Sequence, residues 1–527
     1  MYDILIKGGT ILDGTGKPGY VADIAISGGW IVDIGNFTED TAHRFIHANG
    51  LTVSPGFIDI HSHTDISLLI NPRGESKIRQ GITTEVSGNC GATPFPYDKN
   101  RISGTQKVLA RYGLELDWLT CGEFLARLEK QGIGINYATF VGQGNIRSAV
   151  IGDDDREPTA AEIKLMQDEV RKAMEEGAFG LSTGLIYPPG SFAKTPEIVE
   201  LAKTAAQYGG MYSTHMRSEG KYLLEAIEES ITICREGGIP LQISHLKVSG
   251  NRNWGKAKFA IEKIAAARNA GLPVSADRYT YIASATGLDS LIPLWAQDGG
   301  TEAMLERLRD PETRTQIIDE MIENIGEESG WEDTLVSNVV TQANKRFEGK
   351  NIKEIAELRN QDITEAICDL LLEEEGQVSA IFFSMNDEET DYILSQPFVS
   401  IGTDAGAKAP YGLMSEGKPH PRAYGTFPRA IAYYSREKKL FSLPEAIRKM
   451  TWMNAEKVGL TDRGKIGKGW VADLVIFNPD TIQDIATFLD PHQFPKGIEF
   501  VIVNGKVTVE KGGHTGVLSG TVLRKNS

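Results

Sequence analysis

Cysteine is scarce in this chain of 527 residues. Only Cys90, Cys121, Cys234 and Cys368 occur, scattered and without paired spacing, which excludes a disulfide-built fold and leaves each free for metal or catalysis. Long apolar runs are missing too, and no stretch reaches the ~18 consecutive apolar residues that a membrane span needs. The start, Met1-Tyr-Asp-Ile-Leu-Ile-Lys-Gly-Gly-Thr, has no basic segment, apolar core or small-residue cleavage site, so the expected location is the cytoplasm. Positive charge is in deficit: 55 Lys and Arg against 71 Asp and Glu give a net charge of −16. That balance argues against nucleic acid or an anionic membrane surface as a partner, and a small-molecule substrate is expected instead. No oligomeric state follows from these features. Low-complexity tracts and short internal repeats are absent. What remains is an ordinary globular composition, 41% hydrophobic and 24% charged, long enough for one large domain and something smaller.

The first 50 residues alternate short β-branched runs with glycine turns, as in Asp3-Ile-Leu-Ile, Ala22-Asp-Ile-Ala-Ile and Trp30-Ile-Val-Asp-Ile. The same texture returns in Ala472-Asp-Leu-Val-Ile-Phe, Glu499-Phe-Val-Ile-Val and Lys506-Val-Thr-Val, so residues 1–54 and 465–527 are expected to form one small β-sandwich from both termini. Between them, over 55–464, short apolar strands alternate with helical stretches such as 160–176, 197–208, 222–236 and 256–270. Polar strand ends recur about every 30 residues, the length of a βα unit. His63, Cys90, Thr183, His215, His245 and Asp277 fall on that beat. The economical reading is an α/β chain: a (β/α)8 TIM-like barrel with the small sandwich beside it. The beat breaks over about 295–346, a polar, acidic stretch that includes Glu327-Glu-Ser-Gly-Trp-Glu-Asp. It reads as an insertion after one barrel strand, either a lid or a surface excursion.

Chemistry concentrates at strand ends. In Pro55-Gly-Phe-Ile-Asp-Ile-His61-Ser-His63-Thr-Asp65, imidazoles at i and i+2 project to one face and can grip one metal ion. Two satisfied core histidines are the bland alternative, but more metal-binding types follow downstream, and the chain reads as a metallohydrolase. Cys90 ends a strand in a small-residue turn, with the access a thiolate ligand needs. Gly210-Met-Tyr-Ser-Thr-His215 and Pro240-Leu-Gln-Ile-Ser-His245 deliver one histidine each, a βα unit apart. Phe398-Val-Ser-Ile-Gly-Thr-Asp404 adds a late carboxylate, able to bind metal and shuttle a proton, with an N-cap as its simpler reading. His43, His47, His492 and His514 read as structural, and His420 as shaping Arg422. Gly180-Leu-Ser182-Thr-Gly184 matches a nucleophile elbow but runs into Tyr187-Pro188-Pro189 rather than a helix. Gly250-Asn-Arg-Asn-Trp-Gly255-Lys256-Ala257 resembles a P-loop but ends in alanine where Ser or Thr binds Mg²⁺.

With these residues in view, the chain resembles the amidohydrolase superfamily and, within it, the N-acyl-D-amino-acid deacylases, over nearly its whole length. PGFIDIHSHTD carries the superfamily; GITTEVSGNCG (81–91), GLSTGLIYPPGS (180–191), YSTHMRSE (212–219), ISHLK (243–247) and HPRAYGTFPR (420–429) narrow it. The resemblance implies hydrolysis of the amide of N-acyl-D-amino acids, with a tightly held Zn²⁺ on Cys90, His215 and His245. His61, His63 and Asp404 would form a second, weaker or empty site. It further implies Asp404 as the proton carrier, with Lys247, Tyr279 and Arg422 holding the substrate's α-carboxylate and Tyr187 lining the same pocket. Relatives often carry histidine where Gln143 stands, and an apolar residue where Glu85 stands. Those selective for acidic side chains carry arginine near Leu294-Trp295, so an apolar side chain is expected here. The alternatives are a cyclic-amide hydrolase of hydantoinase or dihydroorotase type, weakened by the absence of a bridging lysine, and a deaminase, against which Cys90 and the tyrosine-proline segment argue. A non-catalytic scaffold would have lost ligands that all survive here.

Overall fold

In the computed structural model, described over residues 1–38, 41–99, 102–325 and 330–525, eight parallel strands form the wall of a barrel. They are β1 (Phe57–Asp59), β2 (Ile82–Ser87), β3 (Asn136–Thr139, continued by Val141–Gly142), β4 (Gly180–Gly184), β5 (Met211–His215), β6 (Leu241–Ile243), β7 (Val274–Arg278) and β8 (Val399–Ile401). Every neighbour pairs in parallel register, and the ring closes through a bridge between Ser62 and Ala405. Almost all of these strand residues are buried, because helices cover the outer face while the barrel fills its own interior.

The helices follow from local signals. Ala160–Glu175 opens on a Thr159/Glu162 capping box and buries Met166, Val170, Ala173 and Met174, a stripe at helical spacing. Leu223–Gly237 stops at Gly238, whose φ of +62° is open to glycine at little cost. No helix among the described residues is long and apolar enough to cross a membrane.

The terminal segments meet as the repeated β texture implies. Tyr2–Ile11, Tyr20–Ser27, Trp30–Gly35 and Thr52–Pro55 join Leu474–Phe477, Ile498–Val503 and Lys506–Glu510 in one continuous nine-stranded sheet. Its N- and C-terminal strands share one core containing Ile6, Ile24, Val53, Leu474 and Ile502. Thr52–Pro55 ends where β1 begins, so the sandwich leads directly into the strand that carries the histidine pair.

Between β7 and β8 a lobe with its own core encloses the 295–346 stretch and extends beyond it on both sides. Three antiparallel strands, Ser284–Gly287, Thr334–Asn338 and Ser379–Phe382, carry helices that pack Leu305, Ile317, Ile355 and Leu371 together. Residues 326–329 of the acidic segment lie outside the described residues.

Candidate metal centre

The C-terminal ends of the strands converge as the βα rhythm requires. One donor atom each from His61, Cys90, His245 and Asp404 lies within 4.8 Å of the others, and His215, Glu219 and His245 form a second such group. Cys90 Sγ stands 3.4 Å from His61 Nε2 and 3.6 Å from His245 Nε2. Asp404 Oδ1 is 3.4 Å from His61 Nε2 and 3.1 Å from His63 Nε2.

Backbone conformation helps to aim these groups. Cys90, His245 and Asp404 have φ of +54°, +35° and +50°, values that non-glycine residues hold only where the surroundings over-determine them and that cluster at functional sites. Beyond Cys90 the chain presses against the end of β4: a Cβ on Gly184 would lie 2.1 Å from the Cys90 carbonyl oxygen, and one on Gly91 2.6 Å from Gly184 N. Only glycine fits on both sides of that contact.

Two carboxylates outside the ligand set expected from the sequence orient the histidines. Asp277 Oδ1 accepts from His61 Nδ1 (3.1 Å) and from the His245 backbone N–H (2.9 Å). Glu219 Oε1 lies 2.9 Å from His245 Nδ1 and accepts from Lys247 Nζ at 2.5 Å. An ionised carboxylate only accepts, so each ring carries a proton on Nδ1 and turns its Nε2 toward Cys90. The sequence pointed to neither role. Asp277 sat on the strand-end rhythm without one, and Glu219 appeared only as the last residue of the YSTHMRSE segment.

The protein's own charges favour ionised donors. Burial pushes the Cys90 thiol up, but His61, with His215 and His245, outweighs it and holds the thiol well below its ordinary range. Burial likewise opposes the Asp404 carboxylate, yet Arg422, His245 and His61 hold it far down. His63 rises to about 9, since Asp404 and Cys90 together outweigh its burial.

The donor chemistry fits a zinc ion. Thiolate, imidazole and carboxylate are its usual ligands. His215 is buried with both ring nitrogens lacking a hydrogen-bond partner, a cost that binding a cation would relieve.

A cavity of about 530 Å³ opens over these groups, walled in part by Tyr187, Pro188, Lys247, Phe382, Asp404 and Arg422. Arg422 Nη1 lies 2.8 Å from Asp404 Oδ2. Tyr187 Oη accepts from Thr286 of the inserted lobe at 3.0 Å. Tyr279 is fully buried with its hydroxyl unpartnered and is not part of the wall; its ring lies 4.6 Å from the Arg422 guanidinium. His420 accepts from the Arg422 backbone N–H at 3.0 Å and so shapes that residue. Glu85 is buried and accepts from Ser62 and Thr64. Gln143 is buried and donates to Glu197.

An amidohydrolase family profile matches residues 44–509. The chain belongs to the amidohydrolase family. The relatives that it matches over 93% or more of their length include a D-aminoacylase and deacylases of N-acyl-D-aspartate and N-acyl-D-glutamate. It is 34% identical over 526 residues to the D-aminoacylase of Alcaligenes xylosoxydans xylosoxydans, covering 100% of this chain and 98% of that one. A crystal structure of D-aminoacylase superposes with a TM-score of 0.83 at 35% identity, covering 99% of this chain and 100% of that one. The N-acyl-D-glutamate deacylase of Bordetella bronchiseptica, solved with zinc and a phosphonate mimic of the tetrahedral intermediate, superposes at 0.84 with 33% identity and 99% coverage of both. Among amidohydrolases, then, the chain groups with the N-acyl-D-amino-acid deacylases.

Proposed function

We propose that this amidohydrolase is a zinc-dependent N-acyl-D-amino-acid deacylase, cleaving a linear amide to a carboxylate and a free D-amino acid. One observation carries the reading: a cysteine-containing metal centre shares its chamber with two cations, Lys247 and Arg422. An N-acyl amino acid presents that combination, a scissile amide one carbon away from a carboxylate. The ligand assignment puts zinc on Cys90, His215 and His245, with His61, His63 and Asp404 beside them. When bound, zinc polarises a carbonyl and lowers the pKa of a water toward about 7.

Asp404, kept ionised by Arg422, takes the attacking water's proton and returns it to the leaving amine. Lys247 and Arg422 anchor the α-carboxylate, with Tyr279 supporting Arg422 from behind. Tyr187 accepts from Thr286, so its own O–H remains to donate to oxygen in the chamber, and burial keeps that phenol protonated. Ile186, Pro188 and Phe382 give the chamber an apolar wall, which favours an apolar side chain on the substrate. Re-loading chelator-stripped protein with one equivalent of zinc should restore amine release from N-acetyl-D-leucine. Stripped protein that is already fully active would refute the assignment.

A further inference from the structure

The barrel wall is laddered strand to strand except where β8 meets β1. Among the described residues that seam has one bridge, in which Asp404 N–H donates to His61 O (2.8 Å) and His63 N–H to Ala405 O (3.1 Å). The weakest seam therefore carries His61 and His63 on one side and Asp404 on the other. Side chains replace the missing ladder. Asn454 Nδ2 donates to Ile58 O (2.7 Å) and Ile401 O (2.9 Å), and the Thr403 N–H donates to Asp59 Oδ1 (2.8 Å).

Behind the bridge lies Lys77, wholly buried, on the short helix Glu75–Ile78. Its ammonium faces two acceptors on each strand: Asp59 Oδ2 (2.7 Å) and Ser62 Oγ (3.1 Å) on the β1 side, Thr403 Oγ1 (2.7 Å) and Ala405 O (2.6 Å) on the β8 side. Thr403 Oγ1 in turn donates to Asp59 Oδ2 at 2.6 Å. The Ser62 hydroxyl passes on to Glu85, 3.9 Å from Lys77. Asp404 sits between Thr403 and Ala405, the two residues just beyond β8 that are bonded to Lys77, in a left-handed conformation that needs such fixing.

We propose that Lys77 is a positioning residue for Asp404, clamping both flanks of the strained aspartate and tying them to the strand that carries His61 and His63. The proposal rests on the reading of Asp404 as the proton carrier. Cys90, His215 and His245 stand at the ends of laddered strands, so loosening the clamp should slow turnover without emptying the zinc assigned to them.

Lys77→Met leaves Asp59 buried without its cation, so the decisive pair is Thr403→Val, which deletes the hydroxyl linking Lys77 and Asp59, and Thr403→Ser, which keeps it. The variants are compared as zinc-loaded protein for kcat, KM and zinc stoichiometry on N-acetyl-D-leucine. Thr403→Val should lose about tenfold in kcat with KM within about twofold and zinc at the wild-type level, and Thr403→Ser should stay within about twofold throughout. Undiminished kcat in Thr403→Val, equal losses in both variants, or zinc lost in step with kcat would overturn the proposal. Asp404→Asn run in parallel separates the two ideas. A fully active Asp404→Asn overturns the proton-carrier reading and the clamp with it. An inert Asp404→Asn beside an unimpaired Thr403→Val overturns the clamp alone.

Discussion

Replacing Glu219 by glutamine keeps the shape of a buried side chain and removes its charge. In the native protein Glu219 Oε1 accepts from Lys247 Nζ at 2.5 Å and lies 2.9 Å from His245 Nδ1, while Oε2 stands 3.5 Å from His215 Nε2. Charge-assisted hydrogen bonds contribute about 1.5–3 kcal/mol and neutral ones about 0.5–1.5, so weakening two of them costs about 2–3 kcal/mol. A second effect acts in the same direction. Lys247 Nζ is also 2.8 Å from His245 Nδ1. Once the carboxylate no longer outcompetes it, the ammonium can donate to Nδ1 and move the ring proton to Nε2, the nitrogen facing Cys90. Loss of such an outer carboxylate typically weakens metal binding about 10–100-fold, equivalent to about 1.4–2.7 kcal/mol, in line with the hydrogen-bond estimate. Competition against a zinc chelator measures this directly, and KM should rise as Lys247 loses its fixed position. If Glu219→Gln held zinc within twofold of wild type and kept its KM, the role of Glu219 in orienting His245 and Lys247 would be wrong.

Other outcomes are equally specific. Cys90→Ala and His245→Ala should each lose most bound zinc and nearly all activity, measured by metal analysis and amine release; full retention in either would unseat that residue as a ligand. Asp404→Asn should stay folded and drop kcat by about 10²–10⁴, with far-ultraviolet circular dichroism unchanged. Lys457 donates to Ala276 O and Ser400 Oγ, and burial lowers its pKa to about 7, well below its unfolded value of about 10.4. Between those values the unfolded chain binds more protons, so this lysine makes stability rise with pH from about 7 to 10. Denaturant unfolding at both pH values should show that rise flattened in Lys457→Met, and an identical rise in both proteins would refute the lowered pKa.

The barrel and sandwich were legible because each rests on periodicity. Buried strands read as short apolar runs, helices as 3.6-residue stripes, and both ends of the chain share one β texture. The gathering of His61, His63, Cys90, His215, His245 and Asp404 was legible for the same reason, since residues one βα unit apart at strand ends must meet on one barrel face. What was hidden depends on direction and burial rather than rhythm. Glu219 and Lys77 lie in Arg-Ser-Glu-Gly and Glu-Ser-Lys-Ile, short polar strings with no periodicity to signal burial, yet both are buried against opposite charge. The left-handed backbones at Cys90, His245 and Asp404 carry no residue signal, because glycine or asparagine would normally mark them. The extent of the lobe was obscured by Ser379–Phe382, an apolar run with the look of a barrel strand that instead pairs antiparallel with Thr334–Asn338.

The central claim is tested most directly by amine release from matched N-acetyl-D- and N-acetyl-L-amino acids, using purified protein with its zinc content quantified. The account predicts hydrolysis of the D series alone, fastest with apolar side chains and abolished in Cys90→Ala. Zinc-loaded protein that is inert on every member, or that prefers the L series, would contradict it.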